Sequence, residues 1–140
     1  MHRGLLLALV FLAGCGGSAE PPRATPAAAE IPTPAAPGEI VVAGEFSPAS
    51  HGPYEFKGEY TVRFEQRAPE DPNLDFKGQT AFVVDLNAEA EIPGADSVKL
   101  FEAAEAEGER TLTIDGRFFV DVSFGDFPYV IRLTPHAAAS

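Results

Sequence analysis

Tyr54-Glu55-Phe56-Lys57-Gly58-Glu59-Tyr60-Thr61-Val62-Arg63-Phe64-Glu65 alternates without a break. Even positions carry Tyr54, Phe56, Gly58, Tyr60, Val62 and Phe64; odd positions carry Glu55, Lys57, Glu59, Thr61, Arg63 and Glu65. Successive side chains of a strand project to opposite faces, so one face is aromatic and the other charged. That is the pattern of an antiparallel sheet with one side in water.

The same period continues outward. Phe76, Gly78, Thr80, Phe82, Val84, Leu86, Ala88, Ala90 and Ile92 share one parity, which predicts a long second strand with a bend or bulge near Asn87. Downstream, Thr111 to Ile114 alternates. Asp115-Gly116 then reads as a two-residue hairpin turn, because glycine accepts positive φ. Phe118, Val120, Val122 and Phe124 follow as an inward set, Gly125-Asp126 offers another turn, and Tyr129, Ile131 and Leu133 form a last strand ending at Pro135. An opening strand spans Ile40 to Phe46. Asp96 to Glu107 is rich in Ala and Glu and predicts a short helix capped by Asp96 and stopped by Gly108, although Val98-Lys99-Leu100 also fits a strand. Tyr54–Glu59 resembles Leu74–Gln79, twenty positions later. The expectation is an all-β domain over 39–135, a six- to seven-stranded antiparallel sandwich or a small barrel-like curved sheet.

N-terminal to this domain the composition changes. Residues 16–38 contain six prolines and seven alanines, with Ile31 the one large aliphatic. Proline removes donors and fixes φ, so the segment reads as a semi-extended spacer rather than a folded element. Ile31-Pro32-Thr33-Pro34 could alternatively serve as a recognition strip, and Thr25 or Thr33 as a sugar acceptor. Residues 136–140 read as a frayed tail.

Residues 1–15 begin with Arg3, continue through an apolar run from Leu5 to Ala13, and close on Ala13-Gly14-Cys15. Nine apolar residues are too few to span a bilayer, which takes roughly 20 in a helix, so the run reads as a cleaved signal peptide over 1–14. Leu12-Ala13-Gly14-Cys15 resembles the lipobox of bacterial lipoproteins. The resemblance covers the leader alone. It implies a diacylglyceryl group on the Cys15 sulfur, with fatty-acyl chains such as palmitate, cleavage after Gly14, and in some hosts a third acyl chain on the new N-terminal amine. It places the chain in the cell envelope; Gly16 rather than Asp matches the outer-membrane class if the host is Gram-negative. Two or three acyl chains give stable anchoring where one is marginal. Cys15 is the only cysteine, so no intrachain disulfide exists.

Formal charge is −11, and −12 without the leader, where nine Lys/Arg face 21 Asp/Glu. That sign opposes nucleic acid and electrostatic adhesion to anionic headgroups. The acids chiefly solvate the outer sheet surface.

Few residues suggest chemistry. His51 and His136 lie far apart with no nucleophile motif beside either, and no phosphate-cradling glycine loop occurs. No cofactor is implied. Acids could supply a glycosidase-like pair, but most fall on outward parity. Asp71, Asn73 and Asp75 match the opening of a calcium loop; Phe76 and Phe82 then stand where an EF-hand needs Gly and Glu. Asp-Pro-Asn is also ordinary turn chemistry.

Two functional expectations remain. The first is a non-catalytic envelope protein that engages another envelope protein or polymer, with Phe101 and Phe119, which break the inward parity, as contact points. The second is a carrier holding a lipid or other apolar molecule among Tyr54, Phe56, Tyr60, Phe64, Phe82 and Phe118, with inward Gly58 and Gly78 leaving room. A core packed by those same rings is the competing account.

Overall fold

The computed structural model describes residues 32–89 and 97–137. The signal peptide, Cys15, most of the spacer, the Asp96 cap and residues 138–140 lie outside them. Six strands form: β1 (Ile40–Gly44), β2 (Ala49–Gln66), β3 (Phe82–Ala88), β4 (Val98–Ala103), β5 (Glu107–Phe124) and β6 (Tyr129–Pro135). Every pairing is antiparallel, and the order β1-β6-β2-β5-β3-β4 makes one sheet that does not close.

Chain geometry forces this sheet to fold over. The end of β5 pairs with the start of β2 (Val122 with Ala49), while the start of β6 pairs with the end of β2 (Tyr129 with Gln66). A straight β2 would hold those points apart by about 55 Å at ~3.3 Å per residue. The link from Phe124 to Tyr129 can reach no more than about 18 Å. The strands therefore double back, and the sheet becomes two stacked wings. One wing is β1, β6, the C-terminal half of β2 and the N-terminal half of β5. The other is β4, β3 and the remaining halves. Between them the ladder carries Gly58 (φ +96°) opposite Ile114 and Gly116 (φ +126°) opposite Phe56. Both need the left-handed region that L side chains avoid. The Gly58 N–H donates to Asp115 Oδ1 at 3.0 Å and secures the bend.

Asp115-Gly116 is therefore no hairpin turn: β5 runs through it, with Asp115 paired to Lys57. The positive φ anticipated at this glycine exists but bends a ladder instead of reversing a chain. Gly125-Asp126 does lie in a connection, which carries the chain from one wing to the other.

The expected helix within 96–107 is absent where described. Val98–Ala103 is β4, paired with β3, and residues 104–106 form the bend into β5. Cross-strand pairing and burial of Leu100 and Phe101 outweigh the helix propensity of Ala and Glu. The long strand expected from Phe76 begins at Phe82. Phe76–Gly78 is a short 3-10 turn whose Asp75 side chain accepts the Lys77 N–H. The hexapeptide similarity thus spans two conformations, strand at 54–59 and turn at 74–79.

Three register shifts break the ladders, the first an extra residue on β2 between His51 and Tyr54. Val84 faces Phe101 and Asp85 faces Lys99, so Leu100 is the extra residue on β4, and both Leu100 and Phe101 are buried. Val84 faces Val122 and Val83 faces Phe124, so Ser123 is the extra residue on β5. β3 itself pairs evenly through Asn87, the site of the anticipated irregularity.

The core lies between the wings. Phe64 packs against Phe82 and Phe101 at centroid distances of 4.9 and 4.6 Å, and Tyr129 against Phe82 at 5.4 Å. Each pair joins one wing to the other. The β4 edge is partly closed by Arg110 of β5, whose guanidinium donates to the Lys99 and Leu100 carbonyls.

Candidate functional site

The six residues considered for an interior pocket come together, in contact with one another. Phe56, Tyr60, Phe64 and Phe82 are buried, and Tyr54 and Phe118 pack at the margin of the same cluster. Phe56 meets Tyr60 at 5.3 Å and Phe118 at 6.2 Å. Gly78 sits in the exposed 3-10 turn, not inside.

Asp71, Asn73 and Asp75 are all exposed. Asp71 Oδ1 accepts the Asn73 N–H at 2.8 Å and Asp75 Oδ1 accepts the Lys77 N–H at 3.0 Å, so each aspartate shapes its own turn. Among the described residues, no group of three or more His, Cys, Asp or Glu converges.

Phe101, expected as a contact point, is a core residue, because the β4 bulge turns it inward onto Phe64. Phe119 stays on the outer face, half-buried opposite Asn87.

The outer faces carry three polar arrangements. On the first wing, the Glu39 side chain is 3 % exposed and accepts from Arg132 Nη1 and Thr134 Oγ1, each at 2.9 Å, and from the Ala35 N–H at 2.5 Å. Burial pushes the Glu39 carboxyl up, but the Ala35 and Thr134 hydrogen bonds and the Arg132 charge outweigh it and hold it below the usual range. Arg132 also reaches the Thr33 carbonyl at 3.4 Å. The end of the spacer is thus pinned to β6.

On the second wing, Asp85 and Asp121 are cross-strand neighbours. Asp121 Oδ2 accepts from the Asn87 amide at 2.5 Å, and its Oδ1 is buried without a hydrogen-bond partner among the described residues. A shallow depression of about 420 Å³ lies there, lined in part by Ser50, Asn87 and Asp121.

Between the wings, His51 Nε2 lies 2.9 Å from the Tyr129 hydroxyl. Burial lowers the His51 pKa against the pull of Asp121, and burial raises that of Tyr129 to about 12. Both groups are neutral at pH 7, and the pair serves as a hydrogen bond between layers.

Sequence reasoning missed one end of the domain. Phe46 is 79 % exposed and Phe124 is 59 % exposed, the two large hydrophobics that face solvent among the described residues. Phe46 lies in the β1–β2 connection and Phe124 ends β5, and the two stretches meet: Ser47 Oγ donates to the Gly125 carbonyl at 2.8 Å. The long β2–β3 loop joins them. Its Thr80 N–H donates to Asp126 Oδ2 at 2.8 Å, and its Phe76 ring packs on Phe127 at 5.4 Å. Phe76 and Phe127 are half-buried against each other beside this end, and Phe46 and Phe124 project into solvent. Alternation placed Phe124 inside; the Ser123 bulge turns it out. The opening strand expected to run to Phe46 stops at Gly44, so Phe46 falls in the connection to β2. No family model matches this chain, and no curated protein matches it.

Proposed function

We propose that this protein is an envelope lipoprotein, held to a membrane by lipid on Cys15, whose β domain acts by binding rather than by catalysis. In a Gram-negative host the membrane is the outer one. The observation that carries the reading is the Phe46–Phe124 end. Exposed aromatic side chains that cost solvation energy and add nothing to the core mark contact surfaces. The lipobox resemblance supports the anchor, and Glu39 fixes the end of the spacer to the sheet. The carrier reading draws no support from the packing, since its rings already occupy one another's surfaces.

Photo-cross-linking in the native envelope tests this reading. A photoreactive phenylalanine analogue at position 46 or 124 is expected to yield adducts with an envelope component, protein or lipid, while the same probe at 119 yields few. Equal yields at all three positions would remove the contact end. Fractionation tests the anchor separately: Cys15→Ser should leave the membrane fraction.

A further inference from the structure

We infer that the Phe46–Phe124 end rests on the lipid–water interface of the membrane that carries the anchor. The occupant is therefore a bilayer with zwitterionic headgroups. This rests on the proposed lipid anchor on Cys15 and names what the contact end touches.

Three observations lead there. The end presents two well-exposed phenyl rings, carried by two separate stretches of chain that meet at the Ser47–Gly125 hydrogen bond. Apolar ring projections suit a soft interface, which closes around each ring without shape complementarity. The charge decides the headgroup. Glu45 and Asp126 flank the two rings, and the mature chain is at −12, so an anionic surface repels this end and a zwitterionic one does not.

The third observation is the reach of the chain. The tether leaves the domain at Thr33, whose carbonyl accepts from Arg132, the β6 residue paired with Val41 near the start of β1. Phe46 lies two residues past the other end of β1, at Gly44. With Thr33 onward held on β6, residues 16–32 remain to connect Cys15 to the domain. Seventeen residues reach at most about 60 Å. The seven residues of β6 cover only about 23 Å. The tether can therefore pass alongside the domain and let the far end touch the bilayer. A tether of a few residues would hold the exit end down instead. Once the anchor is in place, the second contact is intramolecular and needs little intrinsic affinity.

The chain has no tryptophan, so a single introduced indole reports alone. Phe46→Trp, Phe124→Trp and the control Phe119→Trp would be made in the mature lipidated chain. Each would be placed in phosphatidylcholine vesicles containing brominated acyl chains. Indoles at 46 and 124 are expected to shift to the blue and be strongly quenched, and the indole at 119 to be quenched little. Replacing half of the lipid by phosphatidylglycerol should reduce the quenching at 46 and 124. Flotation with vesicles is read in the same samples. Chains that float while 46 and 124 are quenched no more than 119 overturn the inference and leave the anchor standing. Chains that do not float count against the anchor alone. The contact is then read at millimolar lipid, where quenching at 46 and 124 upholds the inference and its absence overturns it. In the Cys15→Ser chain each of Phe46→Ser and Phe124→Ser should weaken vesicle partitioning about tenfold. Unchanged partitioning in both would overturn the inference as well.

Discussion

The bulge on β4 and the bulge on β5 insert the same thing, one residue, and do opposite things to a phenylalanine. On β4 the extra Leu100 brings Phe101 into the core against Phe64. On β5 the extra Ser123 takes Phe124 out of the alternating inward set and into solvent. In a structure of period two, a single insertion exchanges the faces of everything beyond it. The two rings have the same hydrophobicity and nearly opposite exposure. Register decides which one stabilises the protein and which one is available for contact.

The comparison can be broken by truncating both rings and following chemical denaturation. Phe101→Ala should cost about 3 kcal/mol, the range for a buried aromatic that leaves a cavity. A loss below about 1 kcal/mol would mean that the β4 bulge does not seat this ring in the core.

The bend offers a sharper contrast, because there the irregularity is conformational and fills no space. A Cβ on Gly58 meets nothing within 4 Å, so Gly58→Ala isolates the cost of positive φ. It should destabilise by about 1–2 kcal/mol. A neutral result would show that the strands can bend by another route.

Glu39→Gln keeps the shape and removes the charge beside Arg132. It should cost about 1–2 kcal/mol, as for a charge-assisted hydrogen bond that loses its ion, and should free residues 33–38 to hydrogen exchange. Wild-type stability should share that dependence on acid. A carboxyl held below its ordinary value contributes stability that is full above about 4.5 and lost as pH falls through the folded value. His51 acts in a different window. Its pKa is depressed by burial, so the unfolded chain binds the proton first as pH drops below about 6.5. Stability should therefore begin to fall between pH 7 and 5, and His51→Gln should flatten that slope. A slope unchanged by the substitution would place the loss elsewhere.

The smallest expected effect completes the comparison. Phe124→Ser should change stability by less than about 0.5 kcal/mol, as exposed substitutions do, while reducing membrane contact. Equal destabilisation by Phe124→Ser and Phe101→Ala would erase the distinction between the two bulges.

Much of the architecture was legible because it depends on local chemistry. The aromatic parity of 54–65 identified the inward face of β2, and Phe118, Val120 and Val122 did the same for β5. The misreadings share a cause. Asp115-Gly116 carries the chemistry of a turn, but whether positive φ reverses a chain or bends a ladder depends on the partner strand. Residues 98–103 have mixed propensity, and pairing with β3 chose between helix and strand. Phe46 and Phe124 gave misleading local signals, since each continues the alternation of an expected strand, one that ends early at Gly44 and one that a bulge turns over.

The sequence by itself therefore determined an antiparallel β domain, its charged outer surface, the proline-rich segment before it and the lipobox resemblance, because alternation, composition and short motifs act over a few residues. The tertiary structure alone decided that one sheet folds into two wings, that Phe101 is core, and that Phe46 and Phe124 meet at an exposed end. Those outcomes rest on register and loop closure between residues up to about 80 positions apart, such as Ser47 and Gly125, and no local pattern encodes them.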